Sequence, residues 1–287
     1  MPSVRDLRLR IRSVGNTSKV TNAMSLIAAS KMRRAQIAVT QGRPYSEKIQ
    51  EVIGHLTAQP GEDAMAAHPL LQVRPVQRVG ILVISPDRGL CGGLHGNLNR
   101  RVAQFILDQS SPARVIVVGR KGRDFMVRYG QDVQAVFTDM GERPVLADTT
   151  AISHLLIDGY SEGDLDEVYL AYTKYVSTMS QQSVVEKLLP VTPAELTAGE
   201  RVGYIYEPDN LTVLGSLLPR FVEMEVYHAL LESIASEQSA RMVAMRNATD
   251  NANDMVADLT LEMNKARQEG ITRELLDIVG GAAAVKA

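Results

Sequence analysis

The chain has 287 residues, of which 45% are hydrophobic and 22% are charged, and its formal net charge is −2. This length exceeds one average domain, and the composition is ordinary for a protein with a hydrophobic core, so we expect it to fold. The only cysteine, Cys91, excludes internal disulfide bonds and indicates a reducing compartment. A charged-then-apolar leader and a run of about 18 apolar residues are both missing, so we expect neither a signal peptide nor a membrane span.

The first forty residues predict one long helix. Proline is absent from residues 3–42, and Ser3 is a plausible N-cap with Asp6 three residues on. Apolar and small residues recur at steps of three and four along a narrow seam: Val4, Leu7, Ile11, Val14, Ser18, Thr21, Ser25 and Ala28, with Met24 and Ile27 beside it. An ordinary helix packed on its own domain would show similar periodicity. The small residues favour a second helix in close contact.

The middle of the chain has the pattern of an α/β domain. Short apolar runs at 79–85, 115–118 and 133–137 alternate with helical stretches at 97–108 and 121–129, which predicts a largely parallel sheet. A further helix is expected at 144–160 and further strands at 168–176 and 183–189, the last of them on an edge. We place this domain at residues 76–205, after an irregular connector at 59–75.

The last stretch, residues 220–287, contains no proline and predicts a second long helix. Its seam is formed by Met245, Ala248, Ala252, Met255 and Leu259. We therefore expect the fold class to be α/β, with a long antiparallel coiled coil of helices from 1–58 and 209–287 and an inserted Rossmann-like domain. Residues 1–34 carry eight Lys and Arg against one Asp, whereas residues 221–287 carry eleven Asp and Glu against six Lys and Arg, so opposite charge favours the pairing.

The second arm is the longer one. If both arms leave the α/β domain at the same level, the second outruns the first by about 23 residues, or roughly 35 Å. Ile271, Leu275, Ile278 and Val279 keep that tip apolar along one side, so we expect another protein surface to enclose it.

The candidates for chemistry are weak. The turn from Ser85 to Gly93 follows the first strand and is rich in glycine, but it lacks both dinucleotide and P-loop spacing. Cys91 with His95 could be a nucleophile and base, although a lone cysteine among small residues is more often inert. The five histidines show no metal-ligand spacing, and the basic first arm lacks the interleaved aromatic residues of single-strand nucleic-acid binders. We therefore expect no catalytic residue, cofactor, metal or nucleic acid, and favour a mechanical or assembly role.

Several motifs closely resemble those of the gamma subunit of the rotary F-type ATP synthase. They are RIRSVGNTSKVTNAMSLIAASKMRRAQ at 10–36, SPDRGLCGGL at 85–94, YEPD at 206–209, SEQSARMVAMRNATDNA at 236–252 and NKARQEGITRELLDIVGGAAA at 264–284. The resemblance implies a non-catalytic central rotor stalk, one copy per complex, whose coiled coil turns inside a hexamer of alpha and beta subunits. The α/β domain would lie against the epsilon subunit and the c ring, which makes the protein peripheral at the cytoplasmic face of a bacterial membrane.

The resemblance also implies contact residues. Those facing the alpha and beta hexamer would be Met24, Lys31, Arg33, Arg34, Arg241, Gln268, Ile271, Thr272, Leu275 and Ile278. Those near the c ring and epsilon would be Tyr204, Tyr206 and Glu207. Two alternatives remain open on the residues alone: a nucleotide-dependent α/β enzyme with helical oligomerisation arms, and a free coiled-coil adaptor.

Overall fold

A computed structural model describes residues 3–57, 68–193, 207 and 209–285. The chain divides into two compact units, one from 1–27 and 242–287 and the other from 28–241. Two long helices, α1 (Val4–Thr57) and α5 (Asn210–Val285), contribute residues to both units. Between them the elements run in the order 3-10 turn (Pro69–Leu71), β1 (Val79–Ile84), α2 (Leu94–Asp108), β2 (Ala113–Val118), α3 (Arg120–Arg128), β3 (Asp132–Phe137), α4 (Leu146–Ser161), β4 (Glu167–Ser177) and β5 (Ser180–Leu189).

Both long helices begin with side-chain caps. The Asp6 backbone N–H donates to Ser3 Oγ over 3.2 Å, and Ser3 N–H donates back to the Asp6 carboxylate, which confirms the predicted cap. Helix α5 begins at Asn210, ten residues before the proline-free stretch at 220–287, and Asp209 caps it by accepting from both the backbone N–H and the hydroxyl of Thr212. Pro219 lies inside the helix, where it removes one backbone hydrogen bond, but it does not end the helix.

The five strands form one mixed sheet in the order β3-β2-β1-β4-β5. The first four are parallel and β5 pairs antiparallel with β4, so the predicted parallel character and the edge position of the last strand are confirmed. All six residues of the central strand β1 are buried. Because β2 and β3 lie on one side of β1 and β4 lies on the other, the winding direction reverses between β1 and β4.

Two apolar layers cover the two faces of this sheet. On one face, Val79, Ile81 and Val83 of β1 pack with Leu98 of α2 and Met126 of α3. On the other face the layer combines Leu82 and Ile84 with α4 and with the parts of α1 and α5 that belong to the same unit: Ile49, Ile53, Leu56, Ile152, Leu156, Leu214, Leu218, Val222, Val226 and Leu230. The two long helices therefore complete the core of the α/β domain.

The first unit is an antiparallel pair of helices. Ser18 Oγ donates to Asn253 Oδ1 over 2.7 Å, and the hydroxyls of Thr21 and Thr249 are 2.7 Å apart, so the numbering rises on one helix as it falls on the other. The predicted seam of α1 is confirmed, since each of its positions in this unit is buried or half-buried. The coiled-coil prediction for the terminal helices is thereby confirmed at the level of side-chain pairs.

One detail of the predicted pairing was wrong. Met255 is 47% exposed, and Val256 takes its place on the contact face, because the seam follows a strict alternation of four and three residues after Met245. Among the described residues of this unit no ion pair joins the two helices, and Arg5, Arg8, Asp250 and Asp254 are exposed, so the opposite charge of the two arms acts between solvent-exposed groups. Finally, no helix in the described ranges combines the length and apolarity needed to cross a bilayer.

Candidate functional site

The place where a doubly wound sheet usually binds a ligand is filled by the protein itself. Ligands of such sheets lie beyond the carboxyl ends of the strands where the winding reverses, here between β1 and β4. Ser233 Oγ of α5 lies 3.5 Å from the carbonyl oxygen of Ile84, at the end of β1, and Ser236 Oγ donates to the carbonyl of Thr173 in β4 over 2.9 Å. Ser233 and Ser236 are both buried. Helix α5 thus occupies the crevice.

The turn after β1 is bonded to the chain rather than open to a phosphate. Asp87 accepts from the backbone N–H of Arg120 over 3.1 Å and from that of Asp139 over 3.0 Å, which ties the start of α3 and the loop after β3 to the turn. Ser85 Oγ accepts from the N–H of Gly122 over 2.8 Å. A side chain at Gly119, whose φ is +93°, would meet the carbonyl oxygen of Ser85 at 2.0 Å. The N–H groups of Arg120, Gly122 and Asp139, which lie around the turn, therefore already have partners within the chain.

Cys91 does not have the surroundings of a nucleophile. It is buried, and its Sγ lies 3.8 Å from His95 Nδ1. Burial raises the pKa of the Cys91 thiol, and the nearby carboxylate of Glu237 raises it further. Burial and the charge of Lys121 lower the pKa of His95, so both groups stay neutral near pH 7 and the thiolate of a Cys–His pair is not formed.

Arg241 links helix α5 to the same turn. Its Nη2 donates to the carbonyl of Gly89 over 3.2 Å and to Glu237 Oε1 over 2.7 Å. Burial raises the pKa of Glu237, and the positive charge of Arg241 opposes that shift. Arg241 is only 12% exposed, so in this chain it braces the turn. Because its guanidinium bonds to both Gly89 and Glu237, the side chain of Arg241 is held in a fixed orientation.

Lys31, Arg33 and Arg34 lie on α1 in the second unit. Lys31 forms an ion pair with Glu142, and the hydrogen bond from Lys31 lowers the pKa of that carboxyl group. Arg33 and Arg34 are exposed. Lys31, Arg34, Glu142, Arg143, Ile234 and Gln238 line a cavity of about 20 Å³, enough for about one water molecule. Lys31 is paired with Glu142, so the exposed Arg33 and Arg34 give this part of the surface its net positive charge.

The other predicted contact residues fall in separate places. Met24 is half-buried beside the seam of the first unit, while Glu207 is exposed. Tyr204 and Tyr206 lie outside the residues that the structure describes. Within those residues, no group of three His, Cys, Asp or Glu side chains has an arrangement that could hold a metal ion.

The C-terminal part of α5 has no partner in α1. One-for-one continuation of the Ser18–Asn253 and Thr21–Thr249 pairs places Val4 opposite residue 267 or so. Every residue from 267 to 279 is exposed, which includes Gln268 and Thr272. Five large apolar residues in this tip are 51–68% exposed: Ile271, Leu275, Leu276, Ile278 and Val279. Exposed apolar side chains grouped along a continuous helix are typical of a surface that another protein covers.

Two further features were not predicted from the sequence. One is the line of buried serines on α5, whose spacing of three residues at 233, 236 and 239 was the available signal. The other is the exposure of Leu26, at 65%, which adjoins Met24. Ile27 was expected beside the seam of α1, and this was wrong, since it is 54% exposed and, like Leu26, faces away from the seam, so periodicity alone gives no reason for either residue.

Comparison with known proteins is consistent over the whole chain. Residues 3–285 match the family model described as ATP synthase. The ATP synthase gamma chain of Dehalococcoides mccartyi is 57% identical, with 99% of this chain and 100% of the relative covered. The gamma chain of Roseiflexus sp. is 49% identical and that of Chloroflexus aurantiacus is 46% identical, each with 99% of both chains covered.

Solved structures share the fold. A chain from the cryo-EM structure of the OSCP, F1 and c ring of Euglena gracilis mitochondrial ATP synthase, in rotational state 3, has a TM-score of 0.70 at 20% identity, with 98% of this chain and 94% of that chain covered. A chain from the central stalk and c ring of Tetrahymena thermophila mitochondrial ATP synthase has a TM-score of 0.61 at 24% identity, with coverage of 80% and 99%. At these identities the structural match supports a shared fold, in which two terminal helices flank an inserted sheet.

Proposed function

Because the chain belongs to the gamma-chain family of ATP synthase, a family of non-catalytic subunits, we propose that it is the central rotor stalk of an F-type complex. In this role it couples rotation of the membrane c ring to ATP synthesis and hydrolysis on the catalytic beta subunits. The observation that carries the proposal is the exposed apolar tip of α5 at 267–279. Such a tip needs an enclosing surface, and a ring of alpha and beta subunits supplies one.

The proposed contact residues follow the two helices. On α1, Met24 with Lys31, Arg33 and Arg34 would face the hexamer, where the exposed positive charge of the arginines suits acidic loops of a partner. On α5 the hexamer contacts would be Arg241, Gln268, Ile271, Thr272, Leu275 and Ile278. Arg241 already has two partners within the chain, so we expect it to act there by holding the turn at Gly89 in place.

The c ring and the epsilon subunit are the proposed partners of the α/β domain, through the segment that contains Tyr204, Tyr206 and Glu207. One copy of the chain would serve each complex, because a single asymmetric stalk visits the catalytic subunits in turn. The chain would then be peripheral to a bacterial membrane, on its cytoplasmic face, and attached through the c ring. The working division of the chain is a stalk from 1–58 and 209–287 and a foot domain from 76–205.

The filled crevice speaks against the alternative of a nucleotide-dependent enzyme. Ser233 and Ser236 occupy the switch point between β1 and β4, and Asp87 is bonded to the start of α3 and to the loop after β3. The N–H groups of Arg120 and Asp139 are therefore engaged, and α5 lies where a nucleotide would bind. We expect the chain to change nucleotide affinity on other subunits without binding nucleotide itself.

Co-expression with the alpha and beta subunits of the same source tests the proposal. With an affinity tag on beta, the chain should copurify in substoichiometric amount relative to beta. A bead attached through Leu107→Cys, in a Cys91→Ser background, should rotate in one direction on addition of Mg-ATP, because Leu107 is 78% exposed on α2. Copurification without rotation, or no copurification, would contradict the rotor role.

A further inference from the structure

Helix α5 carries three buried serines that we call the serine ladder: Ser233, Ser236 and Ser239. They lie three residues apart on a stretch that also buries Ala235 and Gln238. Serine has only moderate helix propensity, and a buried hydroxyl is unfavourable without a partner. Neither helix formation nor apolar packing therefore explains three of them at this spacing.

Each rung of the serine ladder bonds to the sheet rather than to its own helix. Ser233 Oγ accepts from the N–H of Thr173 over 3.4 Å and lies 3.5 Å from the carbonyl of Ile84; Ser236 Oγ donates to the carbonyl of Thr173 over 2.9 Å. Ser239 Oγ donates to the carbonyl of Thr178 over 2.9 Å and accepts from Gln181 Nε2 over 3.3 Å. The ladder thus joins β1, β4 and the turn between β4 and β5.

The hydrogen bonds of the serine ladder are directional, so they resist rotation of α5 about its own axis more strongly than apolar packing does. Apolar contact is non-directional, so it opposes a small turn of a helix about its own axis less steeply than hydrogen bonds do, because these depend on angle as well as distance. A turn of about 20° would move each Cα by about 0.8 Å at the helix radius of about 2.3 Å, and the hydroxyls by more. Such a shift bends the bonds of Ser236 and Ser239, which begin at 2.9 Å, and lengthens them to the extent that it lies along the bond.

We infer that the serine ladder is a torque-transmitting clamp that fixes the azimuth of helix α5 on the α/β domain. The inference rests on the proposed rotor function, since only a twisted shaft loads this contact along its rotation axis. The Arg241 bond to Gly89 extends the same line of contacts to the turn after β1. The three serines act through α5 and touch no nucleotide, so they are positioning residues.

The test measures torsional stiffness in the assembled complex. A bead is attached at Leu107→Cys in the Cys91→Ser background, the hexamer is fixed to a surface, and rotation is stalled with a non-hydrolysable ATP analogue. The variance of the bead angle reports the compliance between the α/β domain and the hexamer. For the triple variant Ser233→Ala, Ser236→Ala, Ser239→Ala we expect the variance to rise about twofold, because the remaining packing is non-directional.

Val222→Ala is the matched control. Val222 is fully buried on the same helix and in the same unit, so this variant lowers thermal stability but leaves the ladder intact. We expect it to leave the angular variance of the parent unchanged. If the triple variant does not assemble, Ser236→Ala alone is measured, and a smaller rise of the same sign is expected.

The outcomes separate the two claims. A parent complex that fails to assemble or rotate contradicts the rotor function itself. A rotating parent whose angular variance is unaffected by the ladder variants contradicts the clamp alone. Equal broadening by Val222→Ala would also overturn it, because stability rather than directional bonding would then set the stiffness.

Discussion

Replacement of the apolar stripe on the α5 tip should weaken assembly strongly while leaving the helix intact. Ile271, Leu275 and Ile278 lie three and four residues apart and so share one side of the helix. Their exposed fractions are 51%, 57% and 68%, which leaves about three-fifths of each side chain for a partner to cover. At about 1.5–3 kcal/mol for full burial of one such side chain, the three together contribute about 3–5 kcal/mol. Alanine at all three positions keeps a strong helix former.

The expected result is a fall in affinity for the hexamer of about 10²- to 10⁴-fold. Binding of the chain to the alpha and beta subunits is measured by titration at low protein concentration, and torque is measured on the complexes that still form. Arg273→Ala with Asp277→Ala is the control, because both residues are exposed on other sides of the same tip and the net charge is unchanged. Its affinity should stay within about threefold of the parent.

A truncation series extends the same reasoning. Deletion of residues 280–287 should be tolerated, because the apolar stripe at 271–279 remains. Deletion from Ile271 onward removes the stripe and should reduce assembly, torque and ATP synthesis together. A flat response in all three down to Leu259 would mean that no surface encloses the tip, and the reasoning would fail.

Three further outcomes are expected. Isothermal titration of the isolated chain with Mg-ATP should give no binding at micromolar concentration, and clear stoichiometric heat would contradict the filled crevice. Cys91→Ser should keep near-normal ATP synthesis and native Cys91 should alkylate slowly, since burial raises its pKa, whereas Cys91→Trp should crowd the turn and lower the yield of complex. Burial and the bond to Glu167 raise the pKa of Tyr169 to about 12. The stability that protonated Tyr169 adds is therefore present below about pH 10 and lost as pH rises through 12, so urea unfolding of Tyr169→Phe should be less sensitive to pH over that interval.

The fold was largely accessible from the sequence because its signals are local and periodic. Each strand was found by a short apolar run, and each was observed within about three residues of the predicted bounds. The seam of α1 was found because small residues recur where two helix backbones come close. A helical seam is recognised from residues three or four positions apart in the sequence. It can therefore be predicted without knowledge of tertiary contacts.

The bonding at the carboxyl edge of the sheet could not be predicted in that way. Asp87 contacts residues 33 and 52 positions away, and Ser236 contacts Thr173, 63 positions away. Such pairs have no fixed sequence spacing. Met255 was misplaced for a related reason: Ala248 and Thr249 are both compatible with a seam, and only the observed pairing of Thr249 with Thr21 shows which residue begins the next turn of the heptad.

The magnitudes also explain why this α/β domain does not act as a nucleotide enzyme. A ligand at the switch point would have to displace α5 at Ser233 and Ser236. The preceding turns of the same helix bury five large apolar side chains in the core, so the helix cannot move away as a unit without exposing them: Leu214, Leu218, Val222, Val226 and Leu230. At about 1.5–3 kcal/mol each, their burial contributes about 8–15 kcal/mol. Micromolar nucleotide binding supplies only about 8 kcal/mol, and part of that would be spent on breaking the bonds of Ser233 and Ser236. The apolar packing that keeps α5 in the crevice is therefore expected to oppose nucleotide binding there, whereas resistance to rotation of the helix is proposed to come from the directional bonds of the serine ladder.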